Sequence, residues 1–196
     1  MSMRTRFRRS RKAKTDGFTL IEVMISIAIL MTGMLAMIAT FVTALQSTQW
    51  SQEDLIAKQK AMEALESIYT ARSTQQLTFA QIANVSSGVT GAPFTDGYTQ
   101  LLAAGPDGLV GTADDVAFPA NGPCPGGAES VRLPGPDGIL GNADDTCLSL
   151  GEFQRQILIT PLTGNLKQVA VNVQYTKAGL KTPRTYTVNA LISSYH

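Results

Sequence analysis

A long run of apolar residues near the amino terminus dominates the hydropathy pattern of this 196-residue chain. Residues 23–52 carry no formal charge, and residues 23–42 are almost entirely apolar or small. About 20 such residues span the hydrocarbon core of a bilayer as a single helix. The pattern therefore predicts a membrane-spanning helix. A plain signal anchor and a buried helix of a soluble protein are the other interpretations.

Helical periodicity continues beyond the apolar run. Four apolar residues recur 7, 3 and 4 positions apart: Leu55, Met62, Leu65 and Tyr69. This spacing places them on one face of a helix. We expect one helix over residues 18–72. Its first half meets lipid or other subunits, and its second half packs through this face on the rest of the protein.

The carboxyl-terminal region alternates between apolar and polar residues, which is the pattern of half-buried strands. The apolar positions are Val169, Val171, Val173 and Tyr175 in one segment, and Tyr186, Val188, Ala190 and Ile192 in another. Residues 153–160 form a third, less regular candidate. We expect antiparallel strands over residues 153–193 that pack on the helix. The predicted fold is α+β, with a globular head over residues 73–196.

A duplicated motif separates the predicted helix from the predicted sheet. The sequence GPDGLVGTADD at residues 105–115 returns as GPDGILGNADD at residues 135–145, and eight of the eleven positions are identical. Pro-Asp-Gly is a typical turn sequence. Each copy adds two aspartates seven and eight residues after its first aspartate. The loop region 105–147 is therefore rich in glycine and in carboxylates.

The six aspartates of the two copies are candidate calcium ligands: Asp107, Asp114, Asp115, Asp137, Asp144 and Asp145. Calcium takes six to eight oxygen ligands, and bendable glycine-rich backbone can supply them. The spacing differs from that of an EF-hand, which places acids at alternate positions. Two solvated turns with surface carboxylates are the other interpretation, and the sequence leaves both open.

Charge is divided unevenly along the chain. Residues 1–17 carry a net charge of +6, and the remainder carries −5. A basic block before an apolar span predicts a cytoplasmic amino terminus and a body on the far side of the membrane. Confinement of the net positive charge to this block argues against nucleic-acid binding. The single histidine is the last residue, His196, and the sequence shows no catalytic constellation, so we do not expect an enzyme.

Cys124 and Cys147 bracket the second copy of the motif. The predicted topology places both outside the cytoplasm, where disulfides persist. We expect a disulfide that stabilises the loop by about 3 kcal/mol in the chain-entropy description. Two free thiols in a reducing compartment are the alternative.

Glu22 lies at the edge of the apolar run. A lone charge at bilayer depth is costly and needs a partner or a function. One interpretation is that Glu22 stays hydrated at the interface. The other is that it pairs with a positive group in the same apolar layer.

The segment Gly17-Phe18-Thr19-Leu20-Ile21-Glu22, between a short basic leader and an apolar helix, resembles the type IV prepilin (class III) signal. In that family a membrane-bound prepilin peptidase cuts after the glycine and methylates the new amino terminus. The resemblance implies a cleaved leader over residues 1–17 and a mature chain that begins with N-methyl-Phe18. It also implies that Glu22 pairs with an amino-terminal amine of a neighbouring subunit and sets the register of assembly.

Residues 17–72 are also similar to PilV-type minor pilins and to the minor pseudopilins of type II secretion. The similarity implies a structural minor pilin, held in the bacterial inner membrane and then assembled through its helix with other pilins into a type IV pilus. A minor pseudopilin of a type II secretion system is the first alternative. A calcium-dependent adhesive head displayed on a pilus is the second.

Overall fold

The computed structural model describes residues 17–119, 124, 126–176 and 182–195. The predicted leader, apart from Gly17, lies outside these residues. The fold is α+β and pilin-like, as predicted: a helix, α1 (Leu20–Ser73), precedes an antiparallel sheet. By its contacts the chain divides into two compact units, residues 1–45 and residues 46–196.

The first unit contains the apolar half of α1. Its large apolar side chains are exposed along the helix, from Leu20 to Leu45. The most apolar 18-residue window has a mean hydropathy of 2.3, and none of its residues is buried. In length and composition this helix is therefore able to cross a membrane. No charged residue interrupts it after Glu22 until Glu53.

The second unit contains the rest of α1 and six strands. The strands are β1 (Thr99–Gln100), β2 (Ser130–Leu133), β3 (Thr146–Ser149), β4 (Phe153–Thr163), β5 (Leu166–Tyr175) and β6 (Arg184–Ser193). One antiparallel sheet has the order β1-β4-β5-β6, and β2 pairs with β3 in a separate antiparallel ribbon. The three long strands follow one another in sequence and in space, as the alternating pattern predicts.

The register of the sheet brings the apolar positions together. Ile157 lies opposite Val171, and Val171 lies opposite Val188. The four predicted inward residues of β5, from Val169 to Tyr175, are buried, and those of β6 are buried or half-buried. One face of the sheet therefore packs in the core, and its other face carries mostly polar residues.

The face of α1 that packs in the core differs from the prediction. The buried helical residues are mainly alanines: Ala57, Ala61, Ala64, Leu65, Ile68 and Ala71. Of the four residues predicted to pack on the sheet only Leu65 is buried, and Leu55, Met62 and Tyr69 are 43–54% exposed. The prediction was wrong for these three residues. Small side chains therefore make up most of the helix face that belongs to the core of the second unit.

Candidate functional site

The predicted cleavage site lies in irregular chain immediately before α1. Gly17, Phe18 and Thr19 are outside the helix, and Phe18 is 82% exposed. A Cβ atom added to Gly17 would meet no other atom within 4 Å. The peptide bond between Gly17 and Phe18 is thus accessible, as the substrate bond of a processing peptidase must be.

Thr19 caps the amino terminus of α1. Its carbonyl accepts hydrogen bonds from the N–H groups of Glu22 and Val23, at 3.1 and 3.2 Å, and its hydroxyl accepts from the N–H of Glu22 at 3.3 Å. Thr-x-x-Glu is the capping-box spacing. A carboxylate in the first helical turn also interacts favourably with the helix dipole. The predicted pairing of Glu22 with a neighbouring amine stays a prediction.

Hydroxyl groups within the apolar half of α1 bond to the helix backbone. Thr32 donates to the carbonyl of Ile29 at 2.9 Å, and Thr40 donates to the carbonyl of Met37 at 2.8 Å. These bonds satisfy the hydroxyls inside the helix itself. A helix whose polar groups are satisfied internally suits an apolar environment, whether lipid or packed helices.

The two copies of the duplicated motif form the same loop. Gly108 donates its N–H to the carbonyl of Gly105, and Gly138 donates to Gly135, both at 3.0 Å. The first copy is closed by paired Ala103 and Val116, and the second is closed by Leu133 and Thr146 of the β2–β3 ribbon. These pairs lie 30 residues apart, like the motifs themselves. The duplication is therefore one of structure as well as of sequence.

The first and last aspartates hold the backbone of each loop. Asp107 accepts the N–H of Leu109, and Asp137 accepts that of Ile139, both at 2.8 Å. The N–H of Gly111 donates to Asp115 at 2.8 Å, and that of Gly141 donates to Asp145 at 2.7 Å. The carboxylates thus replace strand or helix hydrogen bonds in a segment that has neither.

Glycine is required at the first position of the motif. A Cβ atom on Gly105 would lie 2.3 Å from the carbonyl oxygen of Asp114, and one on Gly135 would lie 2.3 Å from that of Asp144. The backbone atoms of these aspartates cannot move away from an added Cβ atom as the end of a flexible side chain could. The close approach explains why both copies begin with glycine.

The last aspartate of each loop also pairs with an arginine. Asp115 lies 3.9 Å from Nη2 of Arg155, and Asp145 lies 2.6 Å from Nε of Arg132. Both aspartate side chains are at most 6% exposed. Two of the six predicted calcium ligands are thus already engaged by cations of the protein.

The other carboxylates of the first loop interact with each other. Burial raises the pKa of Asp107, and the neighbouring Asp114 acts in the same direction. The hydroxyl of Thr112 donates to Asp114 at 2.6 Å and lowers the pKa of that aspartate. Within the part of the chain that the structure describes, no group of three or more His, Cys, Asp or Glu side chains is placed to hold a metal ion. Calcium binding stays a prediction.

The disulfide predicted between Cys124 and Cys147 is present, with Cα atoms 5.6 Å apart. Cys147 lies in β3, so the bridge ties the ribbon that closes the second loop to the chain preceding it. Together with the ion pair of Arg132 and Asp145, it fixes this loop at its base.

Sequence reasoning missed the charged residues that hold the head together. Arg155 follows the inward alternation of β4 and is 1% exposed, and Lys60 of α1 pairs with Glu63 at 2.6 Å and with Glu129. The ammonium group of Lys167 donates to three carbonyls, those of Phe79, Ala80 and Ile82, at 2.8–3.0 Å. The inward position of Arg155 in an alternating strand was the one available signal.

A comparison with known families matched the amino-terminal part of the chain, which includes the predicted cleavage site and the start of α1. Residues 12–38 match the family described as the prokaryotic N-terminal methylation motif. Comparisons with curated proteins and with solved structures gave no significant match. The match covers the predicted cleavage site, Glu22 and the first part of the apolar helix. The chain therefore joins a prepilin-type amino-terminal motif to a pilin-like α+β fold.

Proposed function

We propose that the chain is a structural minor pilin. It is inserted in the inner membrane, cleaved after Gly17, methylated on Phe18 and assembled through α1 into a type IV pilus. The observation that supports this most directly is the exposed apolar half of α1, which directly follows an accessible Gly17–Phe18 bond. A prepilin-type motif implies processing by a prepilin peptidase and assembly with other pilins.

The physical argument concerns what covers the apolar helix. Each large apolar side chain that leaves water contributes about 1.5–3 kcal/mol. Residues 20–45 expose many such side chains, so this part of the helix is stable only in lipid or against other apolar helices. Packing against the same segment of neighbouring pilins offers such a surface once the subunit leaves the bilayer. The role is structural, since the chain is the substrate of processing and not its catalyst.

Mass spectrometry of the native protein tests the processing step. The mature chain should begin with methylated Phe18 and lack the seven basic residues of the leader. Gly17→Leu should leave the leader attached. A native protein that retains its leader would refute the proposal.

Glu22→Ala tests the assembly step. We expect the variant to be cleaved and to fold, but to be lost from sheared pili. Glu152→Ala is the matched control, because Glu152 is an exposed carboxylate in the turn before β4 and outside α1. Equal recovery of both variants in pili would remove the assigned role of Glu22.

A minor pseudopilin of type II secretion would share the motif, the helix and the fold. Co-purification from the native membrane distinguishes the two, since either pilus or secretion components would accompany the protein.

A further inference from the structure

One edge of the four-stranded sheet has no partner strand. β6 is the last strand in the order β1-β4-β5-β6, so among the residues that the structure describes it is paired on its β5 side alone. Just after β6, the N–H of Ser194 points towards β5 and donates to the carbonyl of Asn165 at 2.9 Å. Backbone groups of alternate residues point to opposite sides of a strand, and the register between β5 and β6 is uninterrupted. The N–H and carbonyl groups of the odd-numbered residues from Thr185 to Leu191 therefore point away from β5.

The opposite edge of the sheet is covered by the protein itself. β1 pairs with β4 at Arg155, and the side chain of Asn84 continues this cover. Asn84 donates to the carbonyl of Ile157 at 2.7 Å and accepts the N–H of Ile159 at 2.8 Å. Pro161, further along β4, has no N–H to pair. Natural sheets protect their edges in such ways, whereas β6 contains no proline, lysine or bulge.

The helix α1 lies alongside β6 over the length of this open edge. At one end, Nη1 of Arg184 lies 3.9 Å from Oδ2 of Asp54. At the other end, the hydroxyl of Tyr69 donates to the carbonyl of Leu191 at 3.4 Å. The intervening 15 steps of helix and 7 steps of strand each span about 23 Å. The helix and the strand therefore run side by side in the same direction between these two contacts.

The flank of α1 beside the open edge is apolar and uncovered. Leu55, Met62 and Tyr69 recur at intervals of seven residues, so they form one line along the helix, and each is 43–54% exposed. The inward side chains of Tyr186 and Val188 in β6 are half-buried, whereas their partners in β5 are fully buried. The flank and the edge thus lack the cover that one more strand beside β6 would provide.

The two observations select the same kind of occupant. A helix could cover the apolar line, but its backbone groups are bonded within the helix and cannot pair with the edge. An extended chain supplies free N–H and carbonyl groups on one side and alternating side chains above and below. Only an extended chain therefore satisfies both the unpaired backbone of β6 and the exposed side chains of α1.

We propose that an extended segment of another subunit adds to β6 as a further strand, an inference that rests on the proposed assembly of the chain. Its backbone bonds to the outward groups of Thr185, Thr187 and Asn189. Its side chains towards α1 are apolar, because they cover Leu55 and Met62, and those on the other face are polar, like the outer residues of β6. This contact is made by the head and is additional to the packing of the apolar half of α1.

Thr187→Pro tests the pairing, because it removes the central outward N–H and leaves the hydrogen bonds between β5 and β6 in place. Thr187→Val is the matched control: both variants lose the bond from the Thr187 hydroxyl to Oδ1 of Asn172, but valine keeps the N–H. Both full chains are expressed in native cells, and the assembled material is isolated. We expect roughly tenfold less of the proline variant than of the valine variant in the assembly, although the two melt within a few degrees of each other in detergent micelles.

Amide hydrogen exchange of the unsubstituted chain gives a second measurement. In micelles the outward amides of Thr185, Thr187 and Asn189 should exchange rapidly, whereas those of Val188 and Ala190 are bonded to β5 and should exchange slowly. In the assembly we expect exchange of the three outward amides to slow by at least about tenfold. An assembled chain whose outward amides still exchange rapidly, or equal recovery of the two variants, overturns this inference and leaves the proposed function standing. A chain that is never assembled overturns both.

Discussion

Arg155 is a charged residue buried in the head, and the residues next to it in the sequence do not account for its burial. The residue is 1% exposed, its nearest acid is Asp115 at 3.9 Å, and burial lowers the pKa of its guanidinium. Nε and Nη1 are buried and have no hydrogen-bond partner among the residues that the structure describes. Such a group holds the first loop against the sheet but contributes little net stability, because desolvation offsets the attraction.

Arg155→Met should destabilise the head by about 3 kcal/mol, because Asp115 then keeps a buried charge without its cation. Arg155→Met combined with Asp115→Asn should recover much of this loss. Urea unfolding of the wild type, the two single variants and the double variant measures the difference. If the double variant is as unstable as the sum of the single variants, the two residues are not coupled.

Tyr175 makes stability depend on alkaline pH. Burial first, and then the hydrogen bond that Tyr175 donates to Asp54, raise the pKa of the phenol well above its usual 10.0. The folded state therefore favours the protonated phenol. Its contribution to stability is complete below pH 10 and is lost progressively as the pH rises above that value.

Tyr175→Phe should accordingly flatten the fall in melting temperature between pH 9 and 11, a range taken from the ordinary pKa of tyrosine. Tyr98→Phe is the control, since Tyr98 is 39% exposed. Identical pH profiles for the two variants would contradict the role given to Tyr175.

Interactions of single residues such as these could largely not be predicted from the sequence. The six aspartates were found as a pattern, but Arg155, the partner of Asp115, comes from β4, outside both copies of the motif. Lys167 looks like an ordinary surface lysine of an alternating strand, and only the fold brings the three carbonyls around it. Partners supplied by distant segments leave no local signal.

At the scale of elements, periodicity predicted the helix and the long strands well. Periodicity predicted the wrong packing face for α1, because Leu55, Met62 and Tyr69 form a more hydrophobic stripe than the alanines that pack in the core. Hydrophobicity scales favour large side chains, whereas the buried face of α1 consists mostly of small ones. The strands β2 and β3 have four residues each, too few for periodicity to detect.

The two loops make a matched pair of elements for mutation. Leu109→Ala should cost about 2–5 kcal/mol, the usual cost of truncating a buried leucine. Leu140→Ala should change the free energy of unfolding by less than about 0.5 kcal/mol, as surface substitutions do. Thermal or urea unfolding checks both values. Similar losses for the two variants would show that the second tip is also buried in the isolated protein.

At the scale of the whole molecule, the two units differ in the surface that they expose, since the first exposes large apolar side chains along α1, from Leu20 to Leu45. The contacts divide the chain between Leu45 and Gln46, within the helix whose first half hydropathy predicted to span a membrane. The core lies within the second unit, from Ala57 to Ile192. Hydropathy could not predict the packing inside the head, because that packing depends on contacts between residues far apart in sequence.

A chain of residues 46–196 should therefore fold without the apolar half of α1. We expect it to be soluble without detergent and to melt within a few degrees of the full chain in micelles, since it keeps the whole core and the disulfide. Circular dichroism and calorimetry measure this. A truncated head without near-ultraviolet signal would show that the core depends on the preceding residues.

The second copy of the duplicated loop, residues 135–145, has anchored ends and an exposed apolar pair in its middle, and this arrangement has a practical consequence. Its glycines, aspartates and disulfide secure both ends, whereas Ile139 and Leu140 touch solvent and leave the core untouched. An epitope inserted between these two residues would be anchored at both ends and displayed outside the head. This position is therefore suited to the insertion of foreign peptides that are to be displayed on the head.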